Sequence, residues 1–167
     1  MYIRHYKDVF CRRRQDYEEQ HHAQNLILAK KTGSLIYQGA PVCQNFGNTY
    51  FYYTSCMMNC IYDCEYCYLK GMYPSANIVI FVNIEDIFEE LHRMLSEHPV
   101  YLCVSYDTDL LAFEAMTGYV REWEHFVLEE NKRSTYPLKI EIRTKSANVK
   151  LFDNLIPDKN IILSLIH

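Results

Sequence analysis

The apolar positions of this chain repeat with two different periods in turn. Ile84, Ile87, Phe88, Leu91 and Leu95 fall at helical spacing, which brings them onto one face of an α-helix. Asn83, just ahead of them, is a residue type that caps helices, and Pro99 closes the segment. Tyr119, Val120, Trp123, Phe126 and Val127 repeat the spacing and predict a second amphipathic helix. Between these lie short unbroken apolar runs, IVIFV at residues 78–82 and VYLCVS at residues 100–105, whose length and β-branched content predict strands. The aromatic run at residues 50–54 and the segments at 139–143 and 160–165 read the same way.

Strand, helix, strand, helix, strand is the order that calls for parallel strands joined by right-handed crossovers. The expected fold class is α/β, as an open sheet or as an arc of a (β/α) barrel. Ligands gather at the carboxyl ends of the strands in such folds. Three segments fall there: the cysteine-rich loop at residues 55–71, the polar turn at 106–109 and the segment at 144–148. Residues 1–45 predict a helical and extended preface, with a helix over residues 16–30 and a short apolar stretch at 35–37 between Gly33 and Gly39. Residues 46–167 make up the α/β part, with a short helical or irregular stretch around 149–155. The last strand is followed by no helix to cover it and no strand to pair its edge. The α/β part is therefore expected to be truncated at its C-terminus.

Composition limits the function classes. The chain has 167 residues, 49% of them hydrophobic, enough for the core of one ordinary domain. Its net charge of −4 gives no global basic field for nucleic acid. The short runs Arg12, Arg13, Arg14 and Lys30, Lys31 read as solvated faces. No apolar run is long enough for a membrane span, and no signal-peptide segment follows the N-terminal charges. A soluble, cytoplasmic protein with no membrane partner is expected.

Seven cysteines change this picture, because four of them fall between Cys56 and Cys67. Clustered thiols in a reducing compartment point to metal or redox chemistry rather than a disulfide framework. Cys60, Cys64 and Cys67 have the spacing CxxxCxxC. Three thiolates on one loop can hold three irons of a [4Fe-4S] cluster and leave the fourth iron open to a bidentate ligand such as an amino acid's amine and carboxylate. Two alternatives stay open: a structural zinc site made by all four cysteines, and an electron-transfer cluster whose fourth iron is capped by Cys56. Cys11, Cys43 and the seven histidines, His21 and His22 among them, show no ligand spacing.

The CxxxCxxC loop after a strand, in a chain of alternating strands and helices, resembles the radical S-adenosylmethionine superfamily, and CEYCYLKGMYP at residues 64–74 is similar to the spore photoproduct lyase family. The resemblance runs from about Tyr50 to the end. Its most specific parts are Tyr66, Cys67, Tyr68 and Leu69, the turn Asp107, Thr108 and Asp109, and the segment Arg143, Thr144 and Lys145. It implies a partial (β/α) barrel, here with about the first half present, and a [4Fe-4S] cluster in the first strand-to-helix loop. It implies a DNA-repair lyase that reverts 5-thyminyl-5,6-dihydrothymine to two thymines. The reduced cluster passes an electron to bound S-adenosylmethionine, the resulting 5′-deoxyadenosyl radical takes a hydrogen from the thymine dimer, the methylene bridge fragments, and a hydrogen atom is returned. Damaged DNA and an external electron donor such as flavodoxin or ferredoxin are the implied partners.

Residue by residue, the resemblance makes Cys60, Cys64 and Cys67 the cluster ligands. Tyr66 and Tyr68 line the radical path, and Thr108 and Lys145 contact S-adenosylmethionine, where a lysine ammonium suits a carboxylate. One position departs from the pattern. Where the family has a hydrogen-donating cysteine before the turn, this chain has Tyr106. Tyr106 is expected as the donor. Cys103 is the alternative, and strand alternation predicts that it faces away from Tyr106 as a small buried residue. A radical S-adenosylmethionine enzyme of the same lineage with another substrate, or a noncatalytic iron-sulfur or zinc-binding module, are the competing functions.

Overall fold

The apolar runs become strands wherever a second run lies within pairing distance. The computed structural model describes residues 5–147 and 156–165, so the stretch expected around residues 149–155 lies outside the described residues. In chain order the elements are α1 (Lys7–Phe10), α2 (Tyr17–His22), β1 (Leu26–Ala29), β2 (Ile36–Gln38), β3 (Phe51–Thr54), β4 (Met57–Met58), α3 (Leu69–Met72) and β5 (Ile78–Phe81). Then follow α4 (Ile84–Met94), β6 (Val100–Cys103), a 3₁₀ turn (Leu110–Phe113), α5 (Glu114–Thr117), α6 (Tyr119–Arg133), β7 (Leu138–Thr144) and β8 (Ile161–Leu165).

Two sheets form. The larger has the order β2-β3-β6-β7-β8, in which β3, β6, β7 and β8 run parallel and β2 adds an antiparallel edge. The smaller has the order β1-β5-β4. An isolated bridge between Ser55 and Ser105 joins the ends of β3 and β6 beyond their regular pairing. The four parallel strands are the α/β arrangement that the alternation predicts. Closure into a barrel is not formed among the described residues.

Helices α4 and α6 cover one face of the larger sheet. Val100, Leu102, Leu138, Ile140 and Ile142 pack there with Ile87, Leu91, Trp123 and Val127 in one buried cluster. Each such apolar side chain contributes about 1.5–3 kcal/mol relative to exposure, so this layer fixes the sheet. The other face carries Phe51, Tyr101 and Cys103, with Cys43, Tyr53 and Tyr106 packed on them.

Two expectations need correction. The helix predicted over residues 16–30 stops at His22, and Leu26–Ala29 is a strand parallel to β5. Asp16 does cap α2, accepting from the Glu19 amide at 2.9 Å. Beyond α2, tertiary bonds replace helical ones: Gln24 Nε2 donates to the Cys60 and Ala76 carbonyls at 3.0 and 2.9 Å, and Asn77 Oδ1 accepts from the Asn25 amide at 3.0 Å. Ile27 is buried while Leu26 and Leu28 are exposed, a period of two. Asn83, expected to cap α4, makes no side-chain cap bond. Its Oδ1 accepts from the Lys31 amide at 2.7 Å and its Nδ2 donates to the Lys31 carbonyl at 3.0 Å, so it clamps the exit of β1 instead.

Candidate functional site

The cysteine loop leaves the sheets at Asn59, which sits in the left-handed region with φ +65°. Asparagine tolerates that conformation better than most residues. It is held there by its own amide, whose Nδ2 donates to the Ser75 and Asn77 carbonyls at 2.6 and 2.8 Å. Its carbonyl accepts from Thr108 Oγ1 at 2.7 Å. The loop is thereby tied to the turn that follows β6 one residue before Cys60.

A second tie reaches β7. Asp109 is buried, and its Oδ1 accepts from Thr144 Oγ1 at 2.8 Å while its Oδ2 accepts from the Lys145 amide at 2.7 Å. The same carboxylate caps the 3₁₀ turn through the Ala112 amide at 3.2 Å. Hydrogen bonds to a charged acceptor contribute about 1.5–3 kcal/mol each, so Asp109 fixes where Lys145 emerges.

These ties bring the three segments at the strand ends around one cavity of about 150 Å³. Cys60, Cys64 and Cys67 form one wall, Tyr106 and Thr108 a second, Arg143 and Lys145 a third, with Tyr68 at the edge. Tyr66 does not line it, but reaches it through Lys145, whose Nζ contacts the Tyr66 hydroxyl and lies 3.8 Å from the Tyr66 ring centroid. That contact, first of all, raises the Lys145 ammonium above its ordinary value. Tyr68 Oη donates to the Tyr106 carbonyl at 2.5 Å.

The three thiols are half-buried and free of disulfides. Burial pushes the Cys60 thiol up to about 11, so a metal binding there displaces a proton. Soft thiolates suit iron-sulfur or zinc chemistry. Among the described residues no group of three or more His, Cys, Asp or Glu side chains is placed to hold a metal ion. Cys56 is not on this wall. It is fully buried, and its sulfur accepts from Trp123 Nε1 at 3.3 Å inside the helix-covered core. The cysteines that line the cavity are thus Cys60, Cys64 and Cys67, with the Asp109 carboxylate beside them.

Cys103 and Tyr106 correct a further expectation, since they pack in the same cluster rather than on opposite faces. Regular pairing ends at Cys103, and the chain turns through the Ser105 bridge, so alternation does not extend to Tyr106. Cys103 is fully buried, as expected, and burial pushes its thiol up to about 12. Sequence reasoning missed Cys43, whose sulfur lies 3.4 Å from the Tyr106 hydroxyl. It missed the tethering by Asn59 and Asp109 as well. The family-like turn pointed at Asp109 without giving it a task.

No protein-family model matches the chain, and no curated protein matches it. Solved structures do match. The spore photoproduct lyase complexed with dinucleoside spore photoproduct superposes with a TM-score of 0.66 at 14% identity, over 84% of this chain and 39% of that one. A double mutant of spore photoproduct lyase with bound AdoMet and dinucleoside spore photoproduct gives the same TM-score of 0.66 at 16% identity, over the same 84% and 39%. At such identity the likeness is one of fold: this chain carries the spore photoproduct lyase fold over 84% of its length and spans 39% of the lyase chains it matches.

Proposed function

We propose that this chain is the cluster- and cofactor-binding part of a radical S-adenosylmethionine enzyme of the spore photoproduct lyase type, its four parallel strands being the first half of a (β/α) barrel. The observation that carries this reading is the single cavity shared by Cys60, Cys64, Cys67, Thr108 and Lys145, with Tyr106 and Tyr68 on its rim, in a chain of that fold. Bound together, a [4Fe-4S] cluster and S-adenosylmethionine supply a 5′-deoxyadenosyl radical that takes a hydrogen atom from a saturated thymine carbon.

The protein's own residues have distinct tasks. Cys60, Cys64 and Cys67 each give a thiolate to iron. Lys145, in contact with Tyr66 and with its backbone amide held by Asp109, pairs with the methionyl carboxylate. Thr108 has given its hydroxyl hydrogen to the Asn59 carbonyl, so its oxygen remains as an acceptor for the cofactor. Tyr106 would give a hydrogen atom from its phenol to the product radical and be left as a phenoxyl radical, to which 5′-deoxyadenosine would return a hydrogen atom; Tyr68 is bonded to its backbone and Tyr66 stands behind Lys145. Damaged DNA is the proposed substrate, and flavodoxin or ferredoxin the proposed electron source.

Anaerobic reconstitution tests the reading in two stages. We expect about four irons per chain, cleavage of S-adenosylmethionine on reduction, and recovery of thymine from dinucleoside spore photoproduct. Iron binding without cleavage reduces the chain to a noncatalytic iron-sulfur module. Cleavage without thymine recovery favours a second reading, the same radical chemistry on another substrate. The observation behind that second reading is Tyr106 itself, a phenol where the family has a thiol.

A further inference from the structure

The side-chain amide of Gln24 spans both ends of the cysteine loop. Its Nε2 donates to the Cys60 carbonyl at 3.0 Å and to the Ala76 carbonyl at 2.9 Å, across 36 and 52 positions of the chain. A planar amide has two hydrogens in a fixed geometry, so it sets the separation of those two carbonyls. Gln20 grips the outgoing end of the loop: its Oε1 accepts from Ser75 Oγ at 2.9 Å and from the Ala76 amide at 3.0 Å. Gln20 is itself held, because its Nε2 donates to Gln15 Oε1 at 2.8 Å, and Gln15 Nε2 donates to the Phe10 and Arg12 carbonyls at 3.0 and 2.9 Å. Phe10 is buried in one cluster with Ile27, Val79 and Phe81. The run from Phe10 to Gln24 is thus anchored in a core at one end and on the neck of the cysteine loop at the other. Two sets of ties meet at Cys60. The Asn59 carbonyl just before it is bound by Thr108, which lines the cavity, and its own carbonyl by Gln24, which does not.

We propose that Gln24 is a positioning residue for the thiol site: from the segment expected as a preface to the α/β part, it fixes where Cys60, the first of the three thiols, stands. The proposal rests on the reading that these thiols hold metal. Sheet formation does not call for the Gln24 bonds. The β1 and β5 segments are already joined one residue later, where Asn77 Oδ1 accepts from the Asn25 amide and the Ile78 amide donates to the Asn25 carbonyl, each at 3.0 Å. Nor does the neck need them to close, since Asn59 Nδ2 bridges it through the Ser75 and Asn77 carbonyls. What Gln24 adds is a hold on the backbone of Cys60 itself. A ligand whose backbone is held before metal arrives loses less freedom on binding, and groups that orient ligands without touching the metal carry much of a site's affinity.

The test follows thiol alkylation in the metal-free full chain by mass spectrometry, with exposed Cys11 as internal reference and buried Cys56 and Cys103 as reporters of the fold. In Gln24→Met, which keeps the side chain's length and removes the amide, Cys60 is expected to react about tenfold faster relative to Cys11, while Cys56 and Cys103 stay protected. Gln24→Lys, whose ammonium can donate to the same carbonyls, is expected to restore most of the protection. Gln20→Met frees the Ala76 end alone and is expected to move Cys60 less than Gln24→Met does. After reconstitution with ferrous iron and sulfide, a chelator should strip iron from Gln24→Met about tenfold faster than from the parent. An unchanged Cys60 rate in Gln24→Met overturns the proposal. A rise shared by Cys56 and Cys103 overturns it too, because Gln24 then holds the fold as a whole. So does a Gln24→Lys chain no better protected than Gln24→Met, which assigns the effect to side-chain shape. The alkylation contrast needs no cluster. If it holds in a chain that never cleaves S-adenosylmethionine, the lyase reading fails alone; if it is absent while thymine recovery proceeds, the role of Gln24 fails alone.

Discussion

The Cys43 sulfur lies 3.4 Å from the Tyr106 hydroxyl oxygen, although the two residues are 63 positions apart in the chain. Tyr106 is also stacked on Tyr53 and packed beside buried Cys103. Its phenol is held above the ordinary tyrosine value, first by the hydrogen bond with Cys43 and then by burial. Tyr106 keeps its O–H hydrogen at neutral pH, as a tyrosine of ordinary pKa would, and the Cys43 thiol lies against that hydroxyl.

Removing that contact has two expected effects. Cys43→Ala lowers the pH at which Tyr106 ionises, since its main cause of elevation is gone; difference absorbance against Tyr106→Phe isolates the signal. In the reconstituted protein, Tyr106→Phe abolishes thymine recovery while S-adenosylmethionine cleavage continues, and Cys103→Ala keeps recovery. Full recovery with Tyr106→Phe and none with folded Cys103→Ala would hand the donor role to Cys103.

Cys56 separates a three-cysteine cradle from a four-cysteine one. Its sulfur is buried against Trp123 in the core that α4 and α6 cover. Cys56→Ala is expected to leave iron content unchanged and to cost about 1–2 kcal/mol of stability through the unpaired indole N–H and lost packing. Cys64→Ala is expected to do the reverse, emptying the site with little effect on the melting temperature. Loss of iron in folded Cys56→Ala protein would make it a ligand.

What could be read from the chain depended on how far apart the interacting residues lie. The period of α4 and the runs of β5, β6 and β7 are local, and each element formed within a residue or two of its predicted span. The CxxxCxxC spacing is local too, so the three thiols were legible before any fold was known. Leu26, Ile27 and Leu28 were misread as helix because they directly follow the polar helix α2, and only pairing with distant Ile78, Val79 and Ile80 makes them a strand. Cys43 carries no spacing at all; only the packing on Phe51 and Tyr101 brings it to Tyr106. Gln24 and Cys60 are 36 positions apart, so the hold of one on the other exists only once β1 has joined β5.

Asp109, which lines the cavity, is expected to govern cofactor binding by holding its neighbours in place. Its carboxylate holds Thr144, the Lys145 amide and the start of the 3₁₀ turn. Asp109→Ala leaves those donors buried without partners, at a cost of about 2–4 kcal/mol, and Asp109→Asn recovers part of it. S-adenosylmethionine affinity falls in both variants, more in the alanine. A melting temperature and an affinity unchanged from the parent protein would remove Asp109 from this role.

Stability should depend on pH through Glu130, far from the cavity. This buried carboxylate meets His92 Nδ1 at 2.6 Å and Arg133 Nε at 2.7 Å, and accepts from Ser134 Oγ as well. Burial alone pushes its pKa up, but the bonds from Ser134, His92 and Arg133 outweigh burial and hold it below the ordinary value of 4.5. A carboxyl group depressed in the folded state binds its proton more readily when unfolded. Its stabilisation is therefore complete above pH 4.5 and is lost as pH falls through the depressed folded value. Glu130→Gln should cost about 2 kcal/mol in urea unfolding at neutral pH. The difference from the parent should shrink steadily as the buffer is taken below the ordinary glutamate value, because the parent then carries a neutral group as well. A gap that stays constant from neutral to acid pH would mean that Glu130 contributes by shape and neutral hydrogen bonds, and that its charge has no part in holding α4 against α6.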